Sequence, residues 1–229
     1  AEMDDTTWLG NPVMAGAKRM ELRRTLTRYL AFEADTNRKL LGTHHVNVRI
    51  VRTAVSRHEV VVREAILERQ GVRIRYRGVV DRVEIGIDDR ISTGPYVAAV
   101  DYKTSKYGAP GGGKKQAWEE GVVLQAPLYA HALASIHPDA VVSRLEYRAI
   151  RQREVVQRLQ LLEYDKKARE VVEAEEGTAR LEAALDAAAR HVRRVRAGEF
   201  PADPPESCGC PSFCHARDIC RVAGGPRDA

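Results

Sequence analysis

Two short apolar segments, each carrying an aspartate among its hydrophobic residues, constrain the fold of this chain most strongly. The first is GVVDRVEI, residues 78–85, with Asp81, and the second is YVAAVDYK, residues 96–103, with Asp101. Both are typical of β-strands, and a buried carboxylate is costly unless a cation or hydrogen bonds compensate its charge. We therefore expect two neighbouring strands that bring their acids together at a functional site.

Hydrophobic periodicity along the rest of the chain predicts alternating helices and strands. The predicted elements are a helix over 14–35, strands over 44–52, 58–67, 72–85 and 96–103, a helix over 118–135, a hairpin around Arg151 and Gln152, and a helical region over 165–197 that is broken near Gly177 and ended by Gly198. Helices that precede, separate and follow strands are typical of an α/β fold, in which a mixed central β-sheet is flanked by helices.

Gly78 interrupts the alternation of the strand that carries Asp81. Over residues 72–76 apolar side chains alternate with arginines, which is typical of a half-buried strand. A glycine within a strand often marks a bulge or a bend. We predict that the parity changes at Gly78, so that Val79, Val83 and Asp81 share the apolar side.

The spacing of Asp101 and Lys103 places both side chains on one face of their strand. If Asp81 converges on them, a hard divalent cation such as Mg²⁺ makes the burial of two carboxylates reasonable. A lysine beside such a metal can hold a water molecule or stabilise charge on a phosphoryl group. The alternative is plain ion pairing, of Asp81 with Arg82 or Arg77 and of Asp101 with Lys103.

Three motifs together resemble those of a known enzyme family. GVVDRVE (78–84), VAAVDYKTSK (97–106) and LQAPLYAHAL (124–133) are similar to the G-x-x-D-R, D-x-K-[TS] and Q-x-x-x-Y motifs of PD-(D/E)XK nucleases of the RecB/AddB branch. The resemblance implies a restriction-endonuclease-like core and a Mg²⁺- or Mn²⁺-dependent deoxyribonuclease. It also implies action on single-stranded DNA or DNA ends in repair or recombination, often with a helicase as partner.

The resemblance assigns roles to individual residues. It implies metal binding by Asp81, Asp101 and the backbone carbonyl of Tyr102, and catalysis by Lys103 with Gln125 and Tyr129, for which core packing is the alternative. Arg82 either binds DNA through a phosphate or orients a carboxylate. Apart from the resemblance, the charge of the basic loop over 105–116 makes Lys114 and Lys115 candidates for DNA binding.

One departure from the family pattern keeps two alternatives open. Many relatives carry a histidine on a helix at the front of the domain, and the helix predicted over 14–35 has none. The first alternative is a non-catalytic DNA-binding module whose C-terminal tail is held in place by a bound metal. The second is a CRISPR-associated exonuclease of the same superfamily.

All four cysteines lie close together near the end of the chain, as Cys208, Cys210, Cys214 and Cys220. Such clustering favours a metal over disulfides, and both zinc and a 4Fe–4S cluster use four thiolates. In the family, C-terminal cysteines hold an iron–sulfur cluster, which we expect here with Cys208 as the fourth ligand. The spacing between Cys210 and Cys214 is one residue longer than in the family, so zinc, His215 as a substitute ligand, and free thiols remain alternatives.

The overall composition fits a DNA-binding protein but does not require one. The formal net charge is +5, and basic residues cluster over 18–28 and 190–196. These clusters favour either a polyanionic partner or a solvated helix face. No apolar run approaches the roughly 20 residues that cross a bilayer, and residues 1–30 lack a signal-peptide pattern. We therefore expect no membrane segment and a cytoplasmic location.

The predicted elements and motifs divide the chain into four regions. We expect an N-terminal helical region with a lead-in strand over 1–57 and the nuclease core over 58–164. C-terminal helices follow over 165–200, and a cysteine-bearing metal-binding tail over 201–229.

Overall fold

The structure, a computed structural model, describes residues 12–42, 52–87, 94–104, 118–121, 123–165 and 167–199. Lys114, Lys115, the four cysteines and most of the strand predicted over 44–52 lie outside these residues. Within the described ranges, no helix combines the length and the apolar character needed to cross a membrane.

Three helices and seven strands make up the described part of the chain. They are α1 (Pro12–Gly42), β1 (Arg52–Arg69), β2 (Val72–Ile87), β3 (Tyr96–Lys103), α2 (Gln125–Ile136), β4 (Val141–Ala149), β5 (Glu154–Gln160), β6 (Leu162–Asp165), β7 (Glu170–Glu173) and α3 (Glu175–Arg196).

The first five strands form one mixed sheet in sequence order, β1-β2-β3-β4-β5. All neighbours are antiparallel except β3 and β4, which run parallel and are joined by the crossover through α2. β6 and β7 form a separate two-stranded sheet. The predicted α/β architecture with a mixed central sheet is thus confirmed, as is the hairpin between β4 and β5.

The two faces of the central sheet are covered by different helices. On one face, Ala126 at the start of α2 donates its backbone N–H to the hydroxyl of Tyr147 on β4. On the other, Glu33 of α1 pairs with Arg148, the next residue of β4. Because successive side chains of a strand point to opposite faces, α1 and α2 sandwich the sheet. The main hydrophobic core lies on the α2 face and includes Leu133, Leu145 and Val80.

The parity of β2 changes at Asp81, so the prediction that it changes at Gly78 is wrong. Val79 is 46% exposed, whereas Val80 and Val83 are both fully buried in the main core. Two residues three apart can share one side of a strand only if the regular alternation is interrupted between them, as at a bulge. The pairing of β1 with β2 places Glu59 opposite Asp81, and Glu59 has a positive φ of 52°. This local distortion turns β2 at the acid itself.

The helix predicted over 165–197 is shorter, because its first part pairs as strands. The β-branched residues Val171 and Val172 pair with β6, and α3 starts at Glu175. Gly177 does not break the helix but lies in its first turn, where a Cβ would fall 1.6 Å from the carbonyl oxygen of Gln160. Only glycine permits this approach. Gly198, with φ 74°, follows the helix end as predicted.

Helix α2 also starts later than predicted, at Gln125 instead of residue 118. Residues 118–121 form a turn in which Gly121 has a φ of 74°. Pro127 is the third residue of α2, and at this position its missing N–H costs no helical hydrogen bond. The late start places Gln125 in the first turn, beside the end of β3.

Candidate active site

Asp81 and Asp101 lie across from one another at the end of the pairing between β2 and β3. The register pairs Arg82 with Val100, and the two aspartates are the next residues outward on each strand. The carboxylate of Asp81 is held in place, because its Oδ2 accepts a hydrogen bond of 2.8 Å from the backbone N–H of Tyr102. The sheet therefore fixes one acid on each of two neighbouring strands.

Lys103 and Gln125 contact Asp101 from two sides. Nζ of Lys103 lies 2.5 Å from Oδ2 of Asp101. Nε2 of Gln125 donates a 2.8 Å hydrogen bond to Oδ1 of the same carboxylate, and its Oε1 accepts one of 3.3 Å from Lys103. The three side chains form a closed triangle on the α2 face of the sheet.

Tyr129 joins this site to β2. It lies one helical turn after Gln125 and accepts a 3.2 Å hydrogen bond from Nε2 of that glutamine. Its hydroxyl donates a 2.6 Å hydrogen bond to the carbonyl of Val79. Gly78 makes room for the ring, since a Cβ there would lie 3.1 Å from Cε1 of Tyr129. The helix thus places both residues of the Q-x-x-x-Y motif at the carboxylates.

The electrostatics of Asp101 differ from those of a plain ion pair. Asp101 is only 6% exposed, and this burial raises the pKa of its carboxyl. Lys103 lowers the pKa, but the nearby charge of Asp81 raises it again, and the net direction is upward. The ion pair with Lys103 is present in the geometry. By formal charge, the two carboxylates of Asp81 and Asp101 carry one more negative charge than Lys103 supplies.

This charge imbalance fits a divalent cation. Two carboxylates from adjacent strands, with a backbone carbonyl nearby, are oxygen ligands of the kind that Mg²⁺ prefers. Among the described residues, no three or more His, Cys, Asp or Glu side chains converge as a metal-binding group. A cation between Asp81 and Asp101 would have two side-chain ligands from the described residues, a number that suits an ion whose remaining ligands are water and phosphate.

Tyr147 supports the site but was not among the predicted residues. Its ring lies under Lys103, with Nζ 5.4 Å from the ring centroid. This distance is within the range of a cation–π contact. The sequence signal is weak, because Tyr147 occupies an ordinary inward position of a strand. Only the parallel pairing of Asp101 with Tyr147 across β3 and β4 brings them together.

Arg82, which was predicted to bind DNA, points away from the site. Its guanidinium lies on the α1 face, where it pairs with Glu33 at 2.6 Å and with Glu84 at 2.5 Å. It also donates a 3.1 Å hydrogen bond to the hydroxyl of Tyr102. Its side chain is only 13% exposed. Arg82 thus lies in a buried ion-pair network, and its contact with DNA stays a prediction.

The ion-pair network on the α1 face is a second feature that the sequence did not predict. Its core is the run Arg144, Glu146 and Arg148 on β4, all buried. Glu146 accepts hydrogen bonds from both arginines of this run and pairs with Arg158 at 2.7 Å. Although burial raises the pKa of Glu146, the three arginines together lower it to about 2. Charged residues at every second position usually mark the solvent-facing side of a strand. Here the charges also alternate in sign along β4, and this alternation was the signal in the sequence for a paired network.

A comparison with protein families now identifies the class of this chain. The sheet carries one acid on each of two neighbouring strands, a lysine two residues after the second acid, and a glutamine from the following helix. The family model of the PD-(D/E)XK nuclease superfamily matches residues 3–221. The chain therefore belongs to the PD-(D/E)XK nuclease superfamily, whose members are nucleases, and its sheet is consistent with the restriction-endonuclease-like core. Among curated proteins, no sequence matches the chain significantly.

Proposed function

We propose that this protein is a Mg²⁺- or Mn²⁺-dependent deoxyribonuclease that hydrolyses single-stranded DNA or DNA ends. The observation that supports the proposal most strongly is the triangle of Asp101, Lys103 and Gln125 beside Asp81. Two carboxylates on neighbouring strands with one lysine beside them favour a further cation as partner.

The metal would be held by Asp81, Asp101 and the backbone carbonyl of Tyr102. Such an ion, when bound, polarises the scissile phosphate and lowers the pKa of a coordinated water. Lys103 is placed to orient the attacking water and to stabilise charge that builds on the phosphoryl group. Gln125 keeps both Asp101 and Lys103 in position through its two amide atoms.

The motifs further favour a nuclease of the RecB/AddB type that acts with a helicase in DNA repair or recombination. This assignment rests on residues 78–84, 97–106 and 124–133. Lys114 and Lys115 would contact the DNA backbone, because two adjacent ammonium groups displace counterions from phosphates.

For the tail, we propose that Cys208, Cys210, Cys214 and Cys220 bind one 4Fe–4S cluster that stabilises the domain. Four thiolates within a short segment can surround a single compact centre. Iron, sulfide and zinc analysis of anaerobically purified protein distinguishes the alternatives. Stoichiometric zinc without iron would replace the cluster with a zinc site, and the absence of any metal would discard both.

The function is tested by incubating the full chain with labelled single-stranded DNA, blunt duplex and circular single strands. We expect cleavage with Mg²⁺ or Mn²⁺ and none in a chelator. Circular DNA separates endonuclease from exonuclease activity, because it has no ends. Binding without cleavage under every metal condition would favour the non-catalytic DNA-binding module instead.

Substitutions assign the activity to the site. We expect Asp81→Ala, Asp101→Ala and Lys103→Ala each to abolish cleavage while circular dichroism shows an intact fold. The aspartate variants should also lose metal affinity, whereas Lys103→Ala should retain it. Asp139→Ala, which removes an exposed carboxylate from the turn between α2 and β4, is the matched control and should cleave normally.

A further inference from the structure

A basic cleft lies between α1 and the turn that joins β4 to β5. It has a volume of about 220 Å³ and is lined by Glu21, Thr25, Arg28, Arg151 and Arg153. The three arginines come from two separate elements, and all three are exposed. None of them belongs to the site formed by Asp81 and Asp101.

Positive charge predominates in the described lining of this cleft. Among the described residues, the side chains of Arg28 and Arg153 have no hydrogen-bond or ion-pair partner, and Arg151 interacts electrostatically with Glu21. Glu21 is the one carboxylate in the lining, and it already pairs with Lys18 at 2.9 Å. Together with Lys18, four cations face a single carboxylate. Such a concentration of positive charge attracts a polyanion.

The cleft opens at the same edge of the sheet as the candidate active site. Ile150 donates its backbone N–H to the carbonyl of Lys103 at 2.9 Å, and Arg151 donates to that of Thr104 at 3.1 Å. The turn that carries Arg151 and Arg153 is therefore bonded directly to the end of the strand that carries Lys103.

Helix α1 extends past this edge. The ring of Tyr29 lies 5.9 Å from that of Tyr102, and Glu21 precedes Tyr29 by a little over two helical turns. That separation is about 12 Å at 1.5 Å per residue. The α1 residues that line the cleft, from Glu21 to Arg28, therefore lie along the part of the helix that leads up to Tyr29.

We propose that this cleft binds a backbone phosphate of the DNA strand beyond the scissile phosphate. The proposal rests on the proposed function, because it gives the strand a second anchoring point beyond the site of cleavage. Arg28, Arg151 and Arg153 position the strand by charge and hydrogen bonds to phosphate, and the hydroxyl of Thr25 offers one further donor. The contact is independent of base sequence.

The test is binding of fluorescently labelled single-stranded DNA by the full chain, measured by anisotropy in a chelator at several salt concentrations. The Arg151→Gln/Arg153→Gln double variant should bind at least about tenfold more weakly, and the magnitude of the slope of log K against log salt should fall by about 1.4. Arg169→Gln is the matched control. Arg153 and Arg169 are both exposed turn residues with a φ of 57°, but Arg169 lies between β6 and β7.

The outcomes of this experiment distinguish the cleft proposal from the nuclease proposal. If the double variant loses affinity and salt dependence while Arg169→Gln binds like wild type, the cleft is supported. If the wild type cleaves DNA but the double variant binds like Arg169→Gln, the cleft proposal is wrong and the nuclease proposal stands. If the wild type neither binds nor cleaves DNA, both are wrong.

Discussion

The two faces of the central sheet are stabilised by different interactions. The α2 face is packed with apolar side chains such as Leu133 and Leu145, and the candidate site lies at its edge. The α1 face instead holds buried charges, with Glu146 among three arginines and Glu33 linking α1 to β4. The apolar face loses stability in proportion to the volume removed, whereas the charged face depends on every partner being present.

The two faces meet at Tyr102. Its side chain lies on the charged face, where it accepts a hydrogen bond from Arg82, while its backbone N–H holds the carboxylate of Asp81. Its neighbours Asp101 and Lys103 point to the other face. The charged network therefore supports the backbone of the residue from which we expect a metal-ligating carbonyl.

The largest effect on stability is expected from Glu146→Gln on the charged face. The substitution keeps the shape but leaves Arg144, Arg148 and Arg158 without their shared partner. Removing one member of a buried ion pair costs about 3–5 kcal/mol. Urea unfolding followed by circular dichroism measures the loss, and Glu163→Gln, an exposed control on β6, should stay within about 0.5 kcal/mol of wild type. If Glu146→Gln lost no more free energy of unfolding than Glu163→Gln, the network would contribute nothing to stability.

The lowered pKa of Glu146 predicts that the stability of the protein depends on pH. The pKa of Glu146 falls from 4.5 to about 2 on folding, because the favourable contacts with the arginines outweigh its burial. A lowered pKa means that its stabilisation is complete above about pH 4.5 and is lost as the pH falls towards 2. Glu146→Gln should therefore show a shallower loss of stability with acid than wild type over this interval.

A smaller effect is expected from Leu133→Ala on the apolar face. Leu133 is fully buried in α2, and truncation of a buried leucine costs about 2–5 kcal/mol, depending on how far the cavity collapses. Ile136→Ala on the same helix removes a side chain that is 41% exposed and should cost much less. Equal losses for the two variants would contradict the assignment of the core to this face.

The smallest effect on stability is expected from removing the hydroxyl group of Tyr129, which links the apolar face to the candidate site. Tyr129→Phe removes the hydrogen bond to the carbonyl of Val79 and should cost about 1 kcal/mol. Tyr76→Phe is matched, because Tyr76 also joins β2 to α2, through a 2.9 Å hydrogen bond to the carbonyl of Leu128. We expect similar stability losses, but only Tyr129→Phe should reduce the rate of DNA cleavage. Equal cleavage rates for the two variants would show that the hydroxyl of Tyr129 has no role in the candidate site.

The sequence predicted the convergence of Asp81, Asp101 and Lys103 better than it predicted the surroundings of these residues. Asp81, Asp101 and Lys103 could be found because a strand has a fixed period of two and buried acids are costly. The interrupted alternation at Asp81 could not be found, since it depends on the positive φ of Glu59 on the neighbouring strand. It sends Arg82 to the α1 face, into a buried ion-pair network with Glu33 and Glu84.

Tertiary context also explains the errors in secondary structure and burial. The segment before Glu175 has a helix-like composition but pairs as β7 because β6 offers a partner edge. In α1, Leu22, Leu26 and Leu30 have the helical spacing that predicted the element, yet all three are exposed, and the sheet is contacted by Tyr29 and Glu33. Periodicity identifies a helix, but it does not say which side faces the sheet.

The central claim is that Asp81 and Asp101 share one divalent cation. Isothermal titration of Mn²⁺ into the full chain tests it most directly, with Asp101→Asn as the variant, because asparagine keeps the size of the side chain and an oxygen for Gln125. Asp139→Asn serves as the control. The account predicts that wild type and Asp139→Asn bind Mn²⁺ with the same affinity, and that Asp101→Asn binds at least about tenfold more weakly, a loss of about 1.4 kcal/mol or more. Unchanged Mn²⁺ binding by Asp101→Asn would contradict it.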